Sequence, residues 1–279
     1  MIYNDPNVLK LIDIAIDEDI KSGDITTNTI TTTEKRKEAA FIAKQNGIVA
    51  GLEIAKMIIQ RFDEKIKWTN LKKDGEACLK SERIALVEGN YKALLSSERT
   101  ALNFLQRMSG IATKTNKFVK KLEGLQTRIL DTRKTVPGHR ILDKYAVKMG
   151  GGTNHRMGLY DMVMIKDNHI KLAGGITNAI SEIKKSLPDS IKIEVETTKL
   201  DEVKEALKFK IDFIMLDNMN IDEMREAVNL CRGKVFTEAS GNVSLDSIRD
   251  IAETGVDFIS VGELTHSAES LDISMKIID

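Results

Sequence analysis

Two hydrophobic periods divide the chain. Asp5-Pro6 pairs a capping side chain with a proline at the first helical position. Leu9, Ile12, Ala15 and Ile16 then recur at helical spacing as far as Ile20, and Ser22-Gly23-Asp24 ends that helix. Between Lys37 and Gly51 the pattern is that of a strand pair. Phe41-Ile42-Ala43 and Ile48-Val49-Ala50 flank Asn46-Gly47, a strong hairpin signal. Further short strands are expected over 65–71 and 83–87, and a helical period returns over 93–122. This first part reads as α+β.

After Leu125 short apolar strands alternate with amphipathic helices, the pattern of βα units and a parallel sheet. Strands are expected over 128–130, 162–165, 191–195, 213–216, 235–237 and 258–261. Helices are expected over 140–148, 177–186, 200–208, 221–231 and 245–253. A further strand fits near Gly150-Gly151-Gly152. Six or seven parallel strands, spaced mostly by ~20–30 residues, fit a TIM-like barrel or one short by a strand. An open doubly wound sheet is the alternative. No GxGxxG follows the first strand, which weakens its dinucleotide-binding version.

Composition narrows the class. A chain of 279 residues makes one large domain or two smaller ones. Lys+Arg and Asp+Glu number 42 each, and the zero net charge argues against coating nucleic acid or anionic membrane. Three prolines exclude a Pro-rich linker. Cys78 and Cys231 are the only cysteines, which excludes a disulfide scaffold and a Cys-ligated zinc site and fits a reducing cytoplasm. No apolar run is long enough to span a membrane, and the first residues lack a signal-peptide pattern. The expectation is a cytoplasmic protein with no nucleic-acid or membrane partner. The charge is not evenly spread, however. From Arg99 to Lys171 there are fifteen Lys/Arg against five Asp/Glu, and three of the four histidines (His139, His155, His169) fall there as well. A basic cluster in a neutral protein points to an anionic small molecule.

The expected strand ends carry the chemistry, because a parallel barrel builds its active site there. In order they read Asp131-Thr132-Arg133-Lys134, Lys166-Asp167-Asn168-His169, Glu196, Asp217-Asn218, Glu238-Ala239-Ser240-Gly241 and Gly262-Glu263. Bases lie on the early strands, acids on the middle ones and small glycine-containing turns on the last two. Arg133, Lys134, Arg156 and Lys166 suit two or more carboxylates or phosphates. Glu196 and Asp217 are hard oxygen ligands suited to Mg²⁺ when a substrate supplies phosphates. Ser240-Gly241-Asn242 and Gly262, each before an expected helix, resemble phosphate-binding loops. The set fits a phosphorylated sugar, a divalent metal and a carboxylated second substrate.

These motifs resemble the quinolinate phosphoribosyltransferase family over nearly the whole chain. The resemblance runs from Glu18-Asp19-Ile20-Lys21-Ser22-Gly23-Asp24 through Glu98-Arg99-Thr100-Ala101-Leu102-Asn103. It is most specific in Thr132-Arg133-Lys134-Thr135, Pro137-Gly138, Asn154-His155-Arg156 and Ile165-Lys166-Asp167-Asn168-His169. It closes with Glu196, Leu216-Asp217-Asn218, Glu238-Ala239-Ser240-Gly241-Asn242 and Ser260-Val261-Gly262. The resemblance implies an α/β fold with an N-terminal α/β sandwich over 1–110, joined by a C-terminal helix over 268–279. An incomplete, seven-stranded TIM-like α/β barrel over 111–267 would hold the active site. It also implies transfer of phosphoribosyl from phosphoribosyl pyrophosphate to quinolinate, giving nicotinate mononucleotide, CO₂ and pyrophosphate.

The site roles that follow are likewise implied by the resemblance. Arg133, Lys134, His155, Arg156 and Lys166 would bind the quinolinate carboxylates and nearby phosphates. Glu196 and Asp217 would hold the ribose hydroxyls and a weakly bound Mg²⁺. Ser240, Gly241, Asn242 and Gly262 would take the 5′-phosphate, with Thr135, Glu263 and Leu264 also at the substrates. Lys134, Lys166, Glu196 and Asp217 form the catalytic set. Arg99 would reach the site of a neighbouring subunit in a homodimer, with a hexamer as a further assembly.

Two positions depart from the family pattern. His139 is expected to be a rim or helix-start residue, and Glu263 beside a phosphate loop would be repulsive unless it points away. Three rival readings differ in what they require. A Schiff-base aldolase would use Lys166 with its pKa lowered by Lys134 or Arg156. A polyanion binder would use the basic segment. A same-fold phosphoribosyltransferase would act on a different aromatic acid.

Overall fold

The computed structural model describes residues 2–30, 35–188 and 190–278. Its first elements are α1 (Pro6–Ile20), α2 (Ile25–Ile30), β1 (Arg36–Ala43), β2 (Gly47–Ile48), α3 (Leu52–Gln60), β3 (Lys67–Asn70), β4 (Ala77–Cys78), β5 (Arg83–Asn90) and α4 (Tyr91–Lys121). The βα series follows: β6 (Arg128–Leu130), α5 (Arg140–Met149), β7 (Val163–Ile165), α6 (Asp167–Ala173), α7 (Ile176–Ser186), β8 (Ile193–Thr197), α8 (Leu200–Ala206), β9 (Phe213–Asp217) and α9 (Ile221–Cys231). The chain closes with β10 (Phe236–Ser240), α10 (Ile248–Ala252), β11 (Phe258–Ser260), α11 (Glu263–His266) and β12 (Ile273–Ile278). It packs as two units. One is Met1–Asn116, Thr135–Gly151 and Glu263–Asp279, and the other is Lys117–Lys134 and Gly152–Gly262. The first unit is therefore discontinuous: α5 belongs to it as well as the C-terminal segment.

In the first unit a four-stranded antiparallel sheet runs β12-β1-β5-β3. The Asp5 carboxylate caps α1 through the Asn7 amide, as Asp5-Pro6 predicts. Two expectations need correction. The 268–279 segment does not form a helix: β12 pairs with β1, and Ile273 and Met275 are buried while Lys276 is exposed. That alternation has the period of a strand. Nor does Asn46-Gly47 close a hairpin. β1 pairs with β5 and β12, and β2 pairs with β4. Gly47 is there for close approach, since a Cβ would overlap Leu271 Cδ1.

The helix α3 went unread in the sequence because its apolar run continues a strand pattern. Its start is held from a distance, by the Asp74 carboxylate accepting the Gly51 and Leu52 amides at 2.9 and 3.1 Å. Its buried Ile54, Ile58 and Ile59 are each worth about 1.5–3 kcal/mol of transfer free energy. α5 is tied into this unit by Arg107, whose guanidinium forks onto the fully buried Asp143 at 3.0 and 2.7 Å. His139 sits at the start of α5 and stacks on Phe104, 5.6 Å between ring centroids, so it is a helix-start residue. Trp68 packs against Phe41.

The second unit is a parallel sheet in the order β6-β11-β10-β9-β8-β7, with Thr153 bridging Leu130 on the far side of β6. Near the glycine run, where a further strand is expected, the described residues form only this single bridge, and the sheet has six strands. Among the described residues β7 pairs only with β8, so the barrel does not close. Ile214, Met215 and Leu216 are all buried, as both faces of such a sheet require. α8, α9 and α10 pack on β8, β10 and β11. α10 is only five residues long, shorter than the helix expected over 245–253. Among the described residues no helix is long and apolar enough to cross a membrane.

Candidate active site

The strand ends of the second unit surround a cavity of about 520 Å³. Two inward-facing layers form its wall, because residues two apart on a strand share a face. Glu196 is the last residue but one of β8, and Asp217 and Ser240 end β9 and β10. Glu194, Met215 and Glu238 lie one step deeper on the same strands. The parallel register sets Ser240 beside Asp217. Because β6 neighbours β11, the loop bearing Arg133 and Lys134 follows the strand next to the one ending in Ser260.

The cationic side is fixed by Asp131, which is fully buried at the end of β6. Its carboxylate accepts the Asn154 side-chain amide at 2.5 Å and the His155 backbone amide at 2.9 Å. One residue thus joins the loop carrying Arg133 and Lys134 to the loop carrying His155 and Arg156. Arg156 donates from its guanidinium to Met162 O at 3.0 Å. Burial and then the nearby Arg133 charge lower its pKa. A bound dianion would offset both effects.

Across the cavity Lys166 Nζ donates to Glu196 Oε2 at 2.7 Å. The Lys166 amide donates to His169 Nδ1 at 3.0 Å, and this contact holds the start of α6. Asp217 Oδ2 accepts from Asn218 Nδ2 at 2.8 Å. Gly241 has φ +97°, and a Cβ there would overlap the Asn218 side chain. Asn242 donates to Asn218 Oδ1 at 3.2 Å and is itself left-handed. The Ser240 loop does not lead directly into a helix, as had been expected, because α10 begins only at Ile248. Its donors to an anion are therefore the backbone and side chains of the turn, not a helix end.

Beneath the rim lies a group that motif reading passed over. His155 Nε2 lies 3.0 Å from Glu194 Oε2 and 3.3 Å from Glu238 Oε2, and both acids are buried. Burial opposes a charged imidazole, but the two acids outweigh it and raise the His155 pKa. Burial first, then the Glu238 charge, raises that of Glu194. The readable signal was the spacing: each acid stands two residues before a rim residue, Glu194 before Glu196 and Glu238 before Ser240.

Arg99, Thr135, Glu263 and Leu264 belong to the first unit. Arg99 is an exposed residue of α4. Thr135 Oγ1 accepts from Arg140 Nε, and Leu264 is fully buried. Glu263 pairs with Lys114 at 2.9 Å, which neutralises the repulsion its sequence position suggests.

The family description "Quinolinate phosphoribosyl transferase, N-terminal domain" matches residues 24–109, and the matching C-terminal domain description covers residues 111–276. This chain belongs to the quinolinate phosphoribosyltransferase family. It is 45% identical to a probable carboxylating nicotinate-nucleotide pyrophosphorylase of Bacillus subtilis, over 96% of this chain and 92% of that one. It is 44% identical to the chloroplastic enzyme of Arabidopsis thaliana, over 96% and 82%. The structure of the nicotinate-nucleotide pyrophosphorylase from Francisella tularensis superposes with a TM-score of 0.95. It is 43% identical and covers 100% of this chain and 99% of that one. Such neighbours share the sheet domain and incomplete barrel described above. Family membership disfavours the aldolase reading.

Proposed function

We propose that this chain joins quinolinate to phosphoribosyl pyrophosphate, as its family does, at the rim of the second unit. The products are nicotinate mononucleotide, CO₂ and pyrophosphate, a step of NAD biosynthesis. The observation that carries the site assignment is the cavity itself: Arg133, Lys134, Arg156 and Lys166 line it together with Glu196 and Asp217. Arg133, Lys134 and Arg156 pair with the quinolinate carboxylates, His155 supports them by holding the Arg156 backbone, and Lys166 holds the acceptor near the ribose. The Ser240-Gly241-Asn242 turn and Gly262 hold the 5′-phosphate.

Glu196 and Asp217 face the ribose and favour the positive charge that develops on its reacting carbon. They also suit Mg²⁺, being hard carboxylate donors. Each already has one oxygen engaged, Glu196 with Lys166 and Asp217 with Asn218. They would hold the ion together with the substrate pyrophosphate, and the chemistry it would supply is charge stabilisation of that leaving group. Once the ring nitrogen carries ribose it is cationic and accepts the electrons left at C2. The protein then orients and desolvates the departing carboxylate, and once CO₂ has left, C2 takes a proton from solvent.

The working unit in this reading is a cytoplasmic homodimer, with Arg99 of one protomer reaching its partner's site and a hexamer as a further assembly. Its test is an assay of purified protein with quinolinate, phosphoribosyl pyrophosphate and Mg²⁺, following product by mass, with nicotinic acid in parallel. Product from quinolinate alone is expected. Product from nicotinic acid alone would replace the acceptor and keep the phosphate half of the site.

A further inference from the structure

Two buried carboxylates at the base of the site have no part in the reaction as derived above. Glu194 and Glu238 approach one imidazole nitrogen from two strands, and each keeps one oxygen, Oε1, buried without a hydrogen-bond partner. An apolar side chain would fill these positions without stranding a polar atom. The other ring nitrogen explains the arrangement. The Arg156 amide donates to His155 Nδ1 at 2.7 Å. Nδ1 is therefore an acceptor, and the ring proton resides on Nε2, facing the two acids.

We propose that Glu194 and Glu238 are positioning residues for quinolinate binding. By accepting the His155 Nε2–H they turn Nδ1 toward the Arg156 amide, and so fix the backbone from which Arg156 reaches the cavity. The inference rests on the assignment of Arg156 to the quinolinate carboxylates. The same hydrogen bond argues against a metal at this spot. His155, Glu194 and Glu238 could bring three ligand atoms within 4.8 Å of one another. A metal on Nε2, however, would move the ring proton to Nδ1, where the Arg156 N–H already sits. A second ring proton, which the neighbouring acids favour, would have to displace the Arg156 amide from Nδ1.

The ring is read directly by long-range ¹H–¹⁵N spectra of labelled protein, with His155 assigned by the signal lost in His155→Gln. The expected spectrum is a neutral ring protonated on Nε2. A ring protonated on Nδ1 overturns the proposal. Kinetics give an independent reading. Replacing both acids with Leu, which fills the space but accepts nothing, is expected to raise the quinolinate KM about tenfold or more, with the KM of phosphoribosyl pyrophosphate within about twofold. Replacing both with Gln keeps an accepting oxygen and is expected to restore most of the loss. A folded Leu variant with an unchanged quinolinate KM, or with both KM values raised equally, overturns the proposal. If the Leu variant does not fold, the wild-type and Gln spectra still decide. Wild-type protein that does not bind quinolinate would overturn the functional reading itself, and this role with it.

Discussion

Lys166 Nζ lies 2.7 Å from Glu196 Oε2, linking the ends of two adjacent strands, β7 and β8. Lys166 is 44% exposed and Glu196 13%, so the pair contributes little to folding. Its consequence is positional. Each side chain is held at the rim by the other, on the boundary between the cationic and the acidic side of the cavity. Lys166→Ala and Glu196→Gln are therefore expected to leave the melting temperature within a few degrees. Each should lower kcat/KM by about 10–150-fold, matching about 1.5–3 kcal/mol for a hydrogen bond to a charged group. Steady-state kinetics with thermal denaturation checks both halves. A large loss of stability would assign the pair to the fold instead.

The partly engaged carboxylates make a prediction about Mg²⁺. Because Glu196 and Asp217 each have one oxygen already committed, Mg²⁺ alone is expected to bind weakly, and tightly only with phosphoribosyl pyrophosphate present. Calorimetric titration of Mg²⁺ with and without that substrate measures this. Chelation is expected to abolish turnover and added Mg²⁺ to restore it. Tight binding of Mg²⁺ to the free protein would mean that a protein-only metal site had been missed.

What the sequence reveals follows physical range. The βα alternation after Leu125 was readable because each strand and helix carries its own period, and β6 falls where that period places it, at Arg128–Leu130. The rim residues were readable because they stand at the ends of those strands. β12 was not, because its pairing with β1 is set by residues more than two hundred positions earlier. α3 was not, because Asp74 caps it from more than twenty residues away. Glu194 and Glu238 look like ordinary strand residues until the barrel curls them toward His155. Their spacing, two residues before a rim residue, hints at an inward face, but only three-dimensional contact shows that both meet His155.

The Arg107–Asp143 pair makes a prediction about stability. Asp143 is fully buried and Arg107 is 22% exposed, so removing the guanidinium leaves a buried carboxylate with its main partner gone. Arg107→Ala is expected to destabilise the protein by about 3–5 kcal/mol. At about 2–4 °C per kcal/mol for a chain of this size, the melting temperature should fall by roughly 6–20 °C. Arg107→Met with Asp143→Leu, which removes both charges, should recover much of it. If the single variant melts like the wild type, the pair is not a structural tie.

Asp63 links stability to acid. Burial works to raise its pKa, but the Asn90 and Lys65 amides and the Arg36 guanidinium outweigh burial and hold it below the ordinary carboxylate value. A depressed folded pKa adds stability that is fully present above the unfolded value of about 3.9 and is lost as pH falls through the folded value. Asp63→Asn should therefore be less stable than wild type near neutrality, and the two should converge below about pH 4. Urea melts at a series of pH values test this, and a gap that stays constant with pH would rule it out.

The dimer reading makes the sharpest prediction about Arg99. Arg99 is an exposed residue of the packing unit that does not contain the rim residues. If Arg99 serves its partner's cavity, Arg99→Ala and Lys166→Ala chains are each strongly impaired, but for different reasons. In a mixed dimer one cavity combines the intact Lys166 of one protomer with the intact Arg99 of the other. Random mixing places half of the protomers in such dimers, and half of their sites are intact, so about a quarter of wild-type turnover should return. Co-expression gives that mixture, and the mixed species isolated from it by separable tags should show about half of wild-type turnover. If Arg99 instead acts within its own chain, every site in the mixture lacks one of the two groups and no activity returns. A monomer by sedimentation that is fully active would remove the shared site altogether.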